Sequence, residues 1–134
     1  MKIDGECYCG EIAFEAELNP DHVGVCHCTD CQKLSGSAFR MTARVQGSTF
    51  SLLRGEPTRY VKVSDSGNRR IQHFCGKCGS DLYATDDTDN PERVNVRTGT
   101  VRQRAQLIPK FEGWCGSALP WLPRLGHTDK KDGN

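Results

Sequence analysis

The sequence contains no apolar run that approaches the roughly 20 residues of a membrane-spanning helix. Its first ten residues, MKIDGECYCG, also lack the apolar segment of a secretory signal peptide. Neither sign of charge is in excess, since 18 basic residues stand against 17 acidic ones, and such a chain has no long-range field to attract nucleic acid or anionic lipid. These absences predict a cytoplasmic protein that binds neither nucleic acid nor membrane and takes a small molecule as its partner.

No internal repeat or low-complexity tract divides the 134 residues, and this length is typical of one domain with its own core. We expect a single domain over residues 1–125. The polar stretch GHTDKKDGN, residues 126–134, has the composition of a frayed tail. The oligomeric state is left open.

Apolar and polar residues alternate in several short segments, a pattern typical of half-buried β-strands. The clearest are GEIAFEAEL at residues 10–18 and FRMTARV at residues 39–45, with weaker alternation in TFSLL, RYVKV, RIQHF, DLYA and RVNVR. Residues that favour turns separate these segments. The pattern predicts an all-β fold of short antiparallel strands.

One segment is predicted to be helical. Thr29 and Gln32 have the T-x-x-Q spacing of a capping box, and Gly36 is placed to end a helix after about two turns. Cys31 is therefore expected in the first turn of a short helix.

The eight cysteines occur mostly in tight C-x-C and C-x-x-C groups. A reducing cytoplasm disfavours disulfides, which in any case usually join cysteines that are distant in sequence. The close spacing favours metal binding over the alternative of a disulfide framework.

Four of these cysteines suggest a closed structural zinc site. Cys75 and Cys78 have the spacing of a zinc knuckle, followed by Gly79, which can adopt a positive φ. Cys7 and Cys9 supply the complementary pair, because an extended C-x-C places both side chains on one face. A closed Cys₄ site has no position for substrate, so we assign it no chemistry. The alternative is that these are unligated core cysteines.

Cys26, Cys28 and Cys31 provide three ligands where a closed site needs four, and three protein ligands with one exchangeable position are typical of catalytic zinc. Three thiolates make zinc a weak Lewis acid but a good acceptor for a soft ligand such as a substrate thiolate, which could attack a small carbonyl. Nucleobase deaminase chemistry is excluded because no histidine begins an H-x-E motif.

Other interpretations of these three cysteines stay open. The fourth ligand could be His27, His73 or Cys115, or the three cysteines could bind nothing. His27 is expected to face away from its neighbours in an extended C-x-C, and His73 shares a strand face with Cys75. Cys115 alternates with Gly113 on a plausible strand and is favoured as a buried core residue.

The chain resembles the glutathione-dependent formaldehyde-activating enzyme family, also called the centromere protein V family. The resemblance is carried by five ordered motifs: GECYCGEIAF at 5–14, CHCTDCQKLSGS at 26–37, RGEPTRY at 54–60, FCGKCGSDLY at 74–83 and SALPW at 117–121. It implies a β-tent fold with two zinc ions, in the two ligand groups given above, and a carbon–sulfur lyase activity that joins glutathione to formaldehyde. Cys115 departs from the family pattern.

Two functions follow from these observations. The leading one is a zinc-dependent lyase or synthase that joins a thiol to a small aldehyde, with Cys26, Cys28 and Cys31 holding the catalytic metal. The second is a non-catalytic zinc module that carries a thiol or mediates an interaction. A chromatin role would be favoured by a basic extension, and only Lys130 and Lys131 approach one.

Overall fold

The computed structural model of the chain describes residues 1–133, which form ten β-strands, one α-helix and several short 3₁₀ segments. The regular elements are β1 (Lys2–Glu6), β2 (Ala13–Glu17), β3 (Val23–Cys26), α1 (Thr29–Ser35), β4 (Arg40–Gln46), β5 (Ser51–Arg54), β6 (Thr58–Val63), β7 (Arg69–Phe74), β8 (Asp81–Asp86), β9 (Arg93–Arg97) and β10 (Phe111–Gly113). The prediction of an all-β fold with one short helix is confirmed. None of the described helices is long and apolar enough to cross a membrane.

The strands form two sheets. Strands β1, β2 and β5 make a three-stranded sheet in that order, and the other seven follow the order β10-β3-β4-β9-β8-β7-β6. All pairs are antiparallel except β10 with β3, which is parallel, so the purely antiparallel prediction is wrong at this edge. A hairpin requires antiparallel strands, whereas β10 reaches its place through a long connection after β9 that permits either direction.

The core lies between the two sheets. The alternation predicted in residues 10–18 and 39–45 is confirmed, since Phe14 and Ala16 of β2 and Ala43 and Val45 of β4 are all buried in it. Burial of these apolar faces is the main stabilising contribution to the fold.

The opposite face of the seven-stranded sheet is polar. Cys26 lies directly across from Arg40 in the β3–β4 pair, and Thr42 lies across from Arg97 in the β4–β9 pair. Residues that alternate with the core positions point away from the core, so Arg40, Arg97 and Cys26 share this second face. Helix α1 contacts β4 and covers part of it.

Helix α1 begins at Thr29, and its N-cap is Cys28, whose Sγ accepts a hydrogen bond from the backbone N–H of Cys31 at 3.3 Å. The predicted Thr29–Gln32 capping box is therefore wrong by one residue. Gln32 instead donates from Nε2 to the carbonyl oxygen of His27 at 2.8 Å. The predicted helix end is confirmed, because Gly36 is left-handed with φ 61°.

The predicted tail, residues 126–134, begins inside the 3₁₀ helix Leu122–His127. Its last residue, Asn134, lies outside the described residues. The domain boundary at residue 125 stays a prediction.

Candidate functional site

Four cysteines from two distant parts of the chain form one cluster. Cys7 follows β1, and Cys75 and Cys78 lie in the connection between β7 and β8. The Sγ atoms of Cys7, Cys9, Cys75 and Cys78 all lie within 4.8 Å of one another, with 3.6 Å between those of Cys7 and Cys9 and 3.7 Å between those of Cys9 and Cys75. Thiolates bound at about 2.3 Å to a tetrahedral zinc ion lie about 3.8 Å apart. The cluster therefore fits a closed four-thiolate metal site.

Two turns shape this cluster. The N–H of Gly10 donates to the carbonyl of Cys7 at 3.0 Å, so Cys7 and Cys9 converge across a turn, and the predicted extended C-x-C is wrong here. The Cys75–Cys78 knuckle has the predicted form, since Gly79 has φ 80° and the N–H of Cys78 donates to Cys75 Sγ at 3.4 Å. Such N–H groups stabilise thiolate sulfur.

The side chain of Ser80 also stabilises a thiolate. Its hydroxyl lies 3.2 Å from Cys78 Sγ, and the Ser80 hydroxyl and backbone N–H together lower the pKa of Cys78 to about 5. The Cys9 thiol behaves in the opposite way: the Glu11 N–H acts to lower its pKa, but burial and the other three thiols raise that pKa to about 12. Without metal, the lower pKa makes Cys78 ionise more readily than Cys9.

The second cluster comprises Cys26, Cys28 and Cys31, whose Sγ atoms also lie within 4.8 Å of one another. Cys26 is the last residue of β3, Cys28 is the helix N-cap, and Cys31 is buried in the first helical turn, as predicted. The strand end and the helix start thus bring the three thiols together. Both clusters could hold a metal ion; the identity of the ion and the role of each ligand stay predictions.

None of the three alternative ligands joins the second cluster. His27 Nε2 lies 2.7 Å from Glu112 Oε1, and His73 Nε2 lies 2.9 Å from Thr85 Oγ1. Burial lowers the pKa of His73 to about 4, so this imidazole is neutral. Cys115 is exposed, and its Sγ lies 3.8 Å from the carbonyl oxygen of Glu112. Among residues 1–133 the cluster has three thiols and no fourth ligand.

The expectation that Cys115 is a buried core residue is wrong. Its strand ends at Gly113, Trp114 adopts a left-handed conformation with φ 55°, and Cys115 begins a 3₁₀ turn. The turn breaks the alternation that would have directed Cys115 inward. This segment still borders the cluster, because the N–H of His27 donates to the carbonyl oxygen of Gly113 at 3.0 Å.

A buried polar network lies behind the second cluster. Arg97 donates from Nε to Asp81 Oδ2 at 2.8 Å and from Nη2 to Gln72 Oε1 at 2.7 Å. Arg40 donates from Nη1 to the same Gln72 oxygen at 3.3 Å. None of these residues was predicted as a site residue from the sequence. The local sequence gives only a weak indication of the network: Arg40 and Arg97 each stand next to an apolar residue in a predicted strand.

This network and the helix start set the protonation of the cluster. Burial raises the pKa of the Cys31 thiol to about 12, against the opposing effect of the Arg40 charge. Burial would also raise the pKa of Cys28, but the Cys31 N–H, the thiols of Cys31 and Cys26 and the charge of Lys62 together lower it. Cys28 is therefore the thiol that ionises more readily.

We predict that Cys28 reacts with iodoacetamide faster than Cys31 at neutral pH once chelation has removed any metal from the second cluster. Only the thiolate is nucleophilic, and Cys31 has a raised pKa and is also buried. Peptide mass spectrometry after timed alkylation measures the order. Faster alkylation of Cys31 would contradict the arrangement at the helix start.

Cys28 opens onto a long groove of about 870 Å³ between the start of α1, β6 and the Trp114 turn. The groove combines aromatic and cationic side chains: Tyr60, Trp114, Lys33 and Lys62. Lys62 Nζ is paired with Asp30 Oδ2 at 2.7 Å, whereas Lys33 makes no ion pair among the described residues. Within residues 1–133, Lys33 is therefore the groove's one cation without an ion-pair partner.

Comparison with known proteins identifies the family. The sequence model of the glutathione-dependent formaldehyde-activating enzyme family matches residues 2–117, a span that contains both cysteine clusters. The chain belongs to this family. The β-tent-like architecture implied by the sequence resemblance, with two sheets, one helix and two cysteine clusters, agrees with that membership.

Two known proteins are similar to this chain. A Penicillium rubens protein named "Putative glutathione-dependent formaldehyde-activating enzyme" is 26% identical over 119 residues, which cover 84% of this chain and 60% of that protein. The chain thus spans less than two thirds of that protein's length. The crystal structure of a Rhodobacter sphaeroides protein matches with a TM-score of 0.62 at 20% identity, over 81% of this chain and 98% of the other. The second likeness shows the shared fold.

Proposed function

We propose that this protein is a zinc-dependent carbon–sulfur lyase that joins a thiol, glutathione, to a small aldehyde such as formaldehyde. The observation that carries the proposal is the cluster of three thiols, which has no fourth ligand among residues 1–133 and opens at Cys28 onto a groove of about 870 Å³. Family membership supports the glutathione and formaldehyde chemistry. A cytoplasmic location is part of the proposal.

The donor atoms favour zinc in both clusters, because soft thiolates select zinc over hard cations such as Mg²⁺. Cys7, Cys9, Cys75 and Cys78 would hold a structural ion. Cys26, Cys28 and Cys31 would hold the second ion, which would supply an open position and lower the pKa of a thiol that enters it.

The groove supports a small anionic thiol as the ligand. Glutathione carries two carboxylates, and Lys33 offers an ammonium group with no ion pair among the described residues. The exposed faces of Tyr60 and Trp114 can pack against the peptide. With these contacts, the side chains of the groove would orient the thiol of glutathione toward Cys28.

The reaction requires no oxidant or reductant. A carbon–sulfur bond forms between the thiol sulfur and the carbonyl carbon, the carbonyl π bond breaks, and the proton of the thiol ends on the carbonyl oxygen. The nearest carboxylate on the helix, that of Asp30, is already paired with Lys62. A paired carboxylate is a poor general base, so the second candidate function is a non-catalytic thiol carrier.

Exchange between formaldehyde and its glutathione adduct, followed by NMR, separates these functions. We expect the protein to accelerate the exchange beyond the spontaneous rate, because a thiol held with a lowered pKa is a nucleophile at neutral pH. Cobalt substitution would report sulfur ligation at the second cluster in the same samples. Thiol binding without faster exchange would leave a carrier, and no thiol binding would leave a structural module.

A further inference from the structure

A second pocket adjoins the groove at Cys28. It has a volume of about 360 Å³ and apolar walls from Leu34, Tyr60 and Phe74. Leu34 and Tyr60 line both the pocket and the groove, so the two spaces meet at these side chains. The polar members of the lining are Gln72 and Asp81. Formaldehyde is too small to contact these walls together, so the pocket has room for a larger molecule.

The orientation of the Gln72 amide is determined by its neighbours. Its Oε1 accepts from Arg97 Nη2 at 2.7 Å and from Arg40 Nη1 at 3.3 Å. Guanidinium groups only donate hydrogen bonds, so the amide oxygen must face the arginines and the NH₂ group must face the other way. Gln72 is 6% exposed, and a side chain held by two buried cations has little freedom to rotate.

The Nε2 group of Gln72 has no acceptor within residues 1–133. In the same residues, two side-chain atoms are both fully enclosed and unpaired: His27 Nδ1 and Arg40 Nε. Gln72 Nε2 is not one of them, so it keeps some accessible surface. Since Gln72 lines the pocket, its two N–H donors are directed into that space. Because Nε2 keeps some accessible surface, a ligand oxygen can reach it and accept a hydrogen bond.

The charged groups beside the pocket are paired with one another. Asp81 lines the same pocket and places a carboxylate there, paired with Arg97 at 2.8 Å. Arg40 Nη1 also lies 3.7 Å from Asp81 Oδ2, so this carboxylate is compensated within the protein. The oxygen of a neutral carbonyl can accept from Gln72 without bringing a further charge into the buried network. The apolar walls would pack against a hydrocarbon substituent.

We propose that this pocket binds a neutral carbonyl compound with a branched alkyl or phenyl substituent, whose carbonyl oxygen accepts a hydrogen bond from Gln72 Nε2. The inference rests on the proposed function, because it makes the pocket the electrophile subsite beside the thiol groove. The aldehyde oxygen gains the proton when the carbon–sulfur bond forms, and a fixed N–H donor stabilises the charge that develops there. The preferred substrate is then an aldehyde larger than formaldehyde.

The test is an NMR titration of the zinc-loaded protein with isobutyramide, an unreactive carbonyl with a branched alkyl group. We expect the Gln72 side-chain NH₂ resonances to shift on binding. Acetamide should bind about tenfold more weakly, because it lacks two buried carbons. Shifts that concentrate away from Leu34, Phe74 and Gln72 would overturn the proposal.

Gln72→Glu removes the donor but keeps an oxygen for each arginine, so the network can persist. We expect it to weaken isobutyramide binding about tenfold. Gln106→Glu, at an exposed residue, is the matched charge control and should leave affinity unchanged. Leu34→Trp, at a partly exposed position, should fill the pocket and abolish binding. Equal affinity in the Gln72 and Gln106 variants would refute the role of Gln72.

A parallel titration with glutathione, read out at the cysteine cluster, distinguishes the two proposals. Glutathione binding without isobutyramide binding in the pocket would overturn the electrophile subsite and leave the proposed function standing. Isobutyramide binding without glutathione binding would refute the proposed function, and with it the role of the pocket as a substrate subsite.

Discussion

Cys78→Ala should leave a chain that does not fold stably at room temperature. Cys78 belongs to the four-cysteine cluster that joins the end of β1 to the β7–β8 connection. Cys7 and Cys75 of that cluster are 2% and 1% exposed and belong to the hydrophobic core. Structural zinc contributes folding free energy of about 10 kcal/mol in small metal-dependent domains, while whole domains are stable by only about 5–15 kcal/mol. Losing one ligand is therefore expected to remove most of the free energy of unfolding.

Thermal unfolding monitored by circular dichroism, together with the zinc content per chain, measures this effect. Cys115→Ala is the matched control, because Cys115 is an exposed cysteine outside both clusters. That control should keep both ions and unfold at the temperature of the unchanged protein. If Cys78→Ala unfolds at that temperature as well, the four-cysteine cluster is not a structural metal site.

Cys28→Ser should lose the second zinc ion completely while the fold survives. A serine oxygen is a poorer partner than thiolate for a soft site, and the two remaining cysteines cannot hold the ion alone. Cys28 is also the N-cap of α1, where its Sγ accepts the N–H of Cys31. Serine is a favourable N-cap residue, so the variant removes a metal ligand and preserves the helix start.

Metal analysis of the Cys28→Ser protein measures the loss of the ion, and circular dichroism measures whether the fold survives. The acceleration of glutathione–formaldehyde exchange should disappear with the ion. Cys115→Ser provides the matched control and should keep both properties. Loss of both ions together from Cys28→Ser would mean that the seven cysteines do not act as two independent sites. Retention of the second ion would indicate a ligand beyond the three thiols.

The fourth coordination position links these experiments to the proposed chemistry. In the described residues, the imidazole of His27 is held by Glu112, that of His73 by Thr85, and Cys115 is exposed. Neither histidine is grouped with the three thiols among residues 1–133. A thiol from solution can approach the cluster through the groove at Cys28. The cluster and the groove would then act together in binding it.

Local patterns in the sequence were sufficient to predict the strand alternation, the end of α1 at Gly36 and the two groups of cysteines. In each case the determinant is short-range: period-two burial in a strand, a left-handed glycine at a helix end, and thiols two or three residues apart. The helix start was displaced by one residue because cysteine is not an expected N-cap. Its sulfur accepts the Cys31 N–H at 3.3 Å, in place of the usual side-chain oxygen.

The tertiary structure alone decided which distant residues meet. The parallel pairing of β10 with β3 and the turn that exposes Cys115 depend on a long connection whose path no local pattern specifies. Likewise, the direction of the Gln72 amide is determined by Arg40 and Arg97, which are 32 and 25 residues away in sequence. Contacts between such distant residues depend on how the strands pair, so the sequence by itself predicted the two cysteine groups but not the pocket beside them.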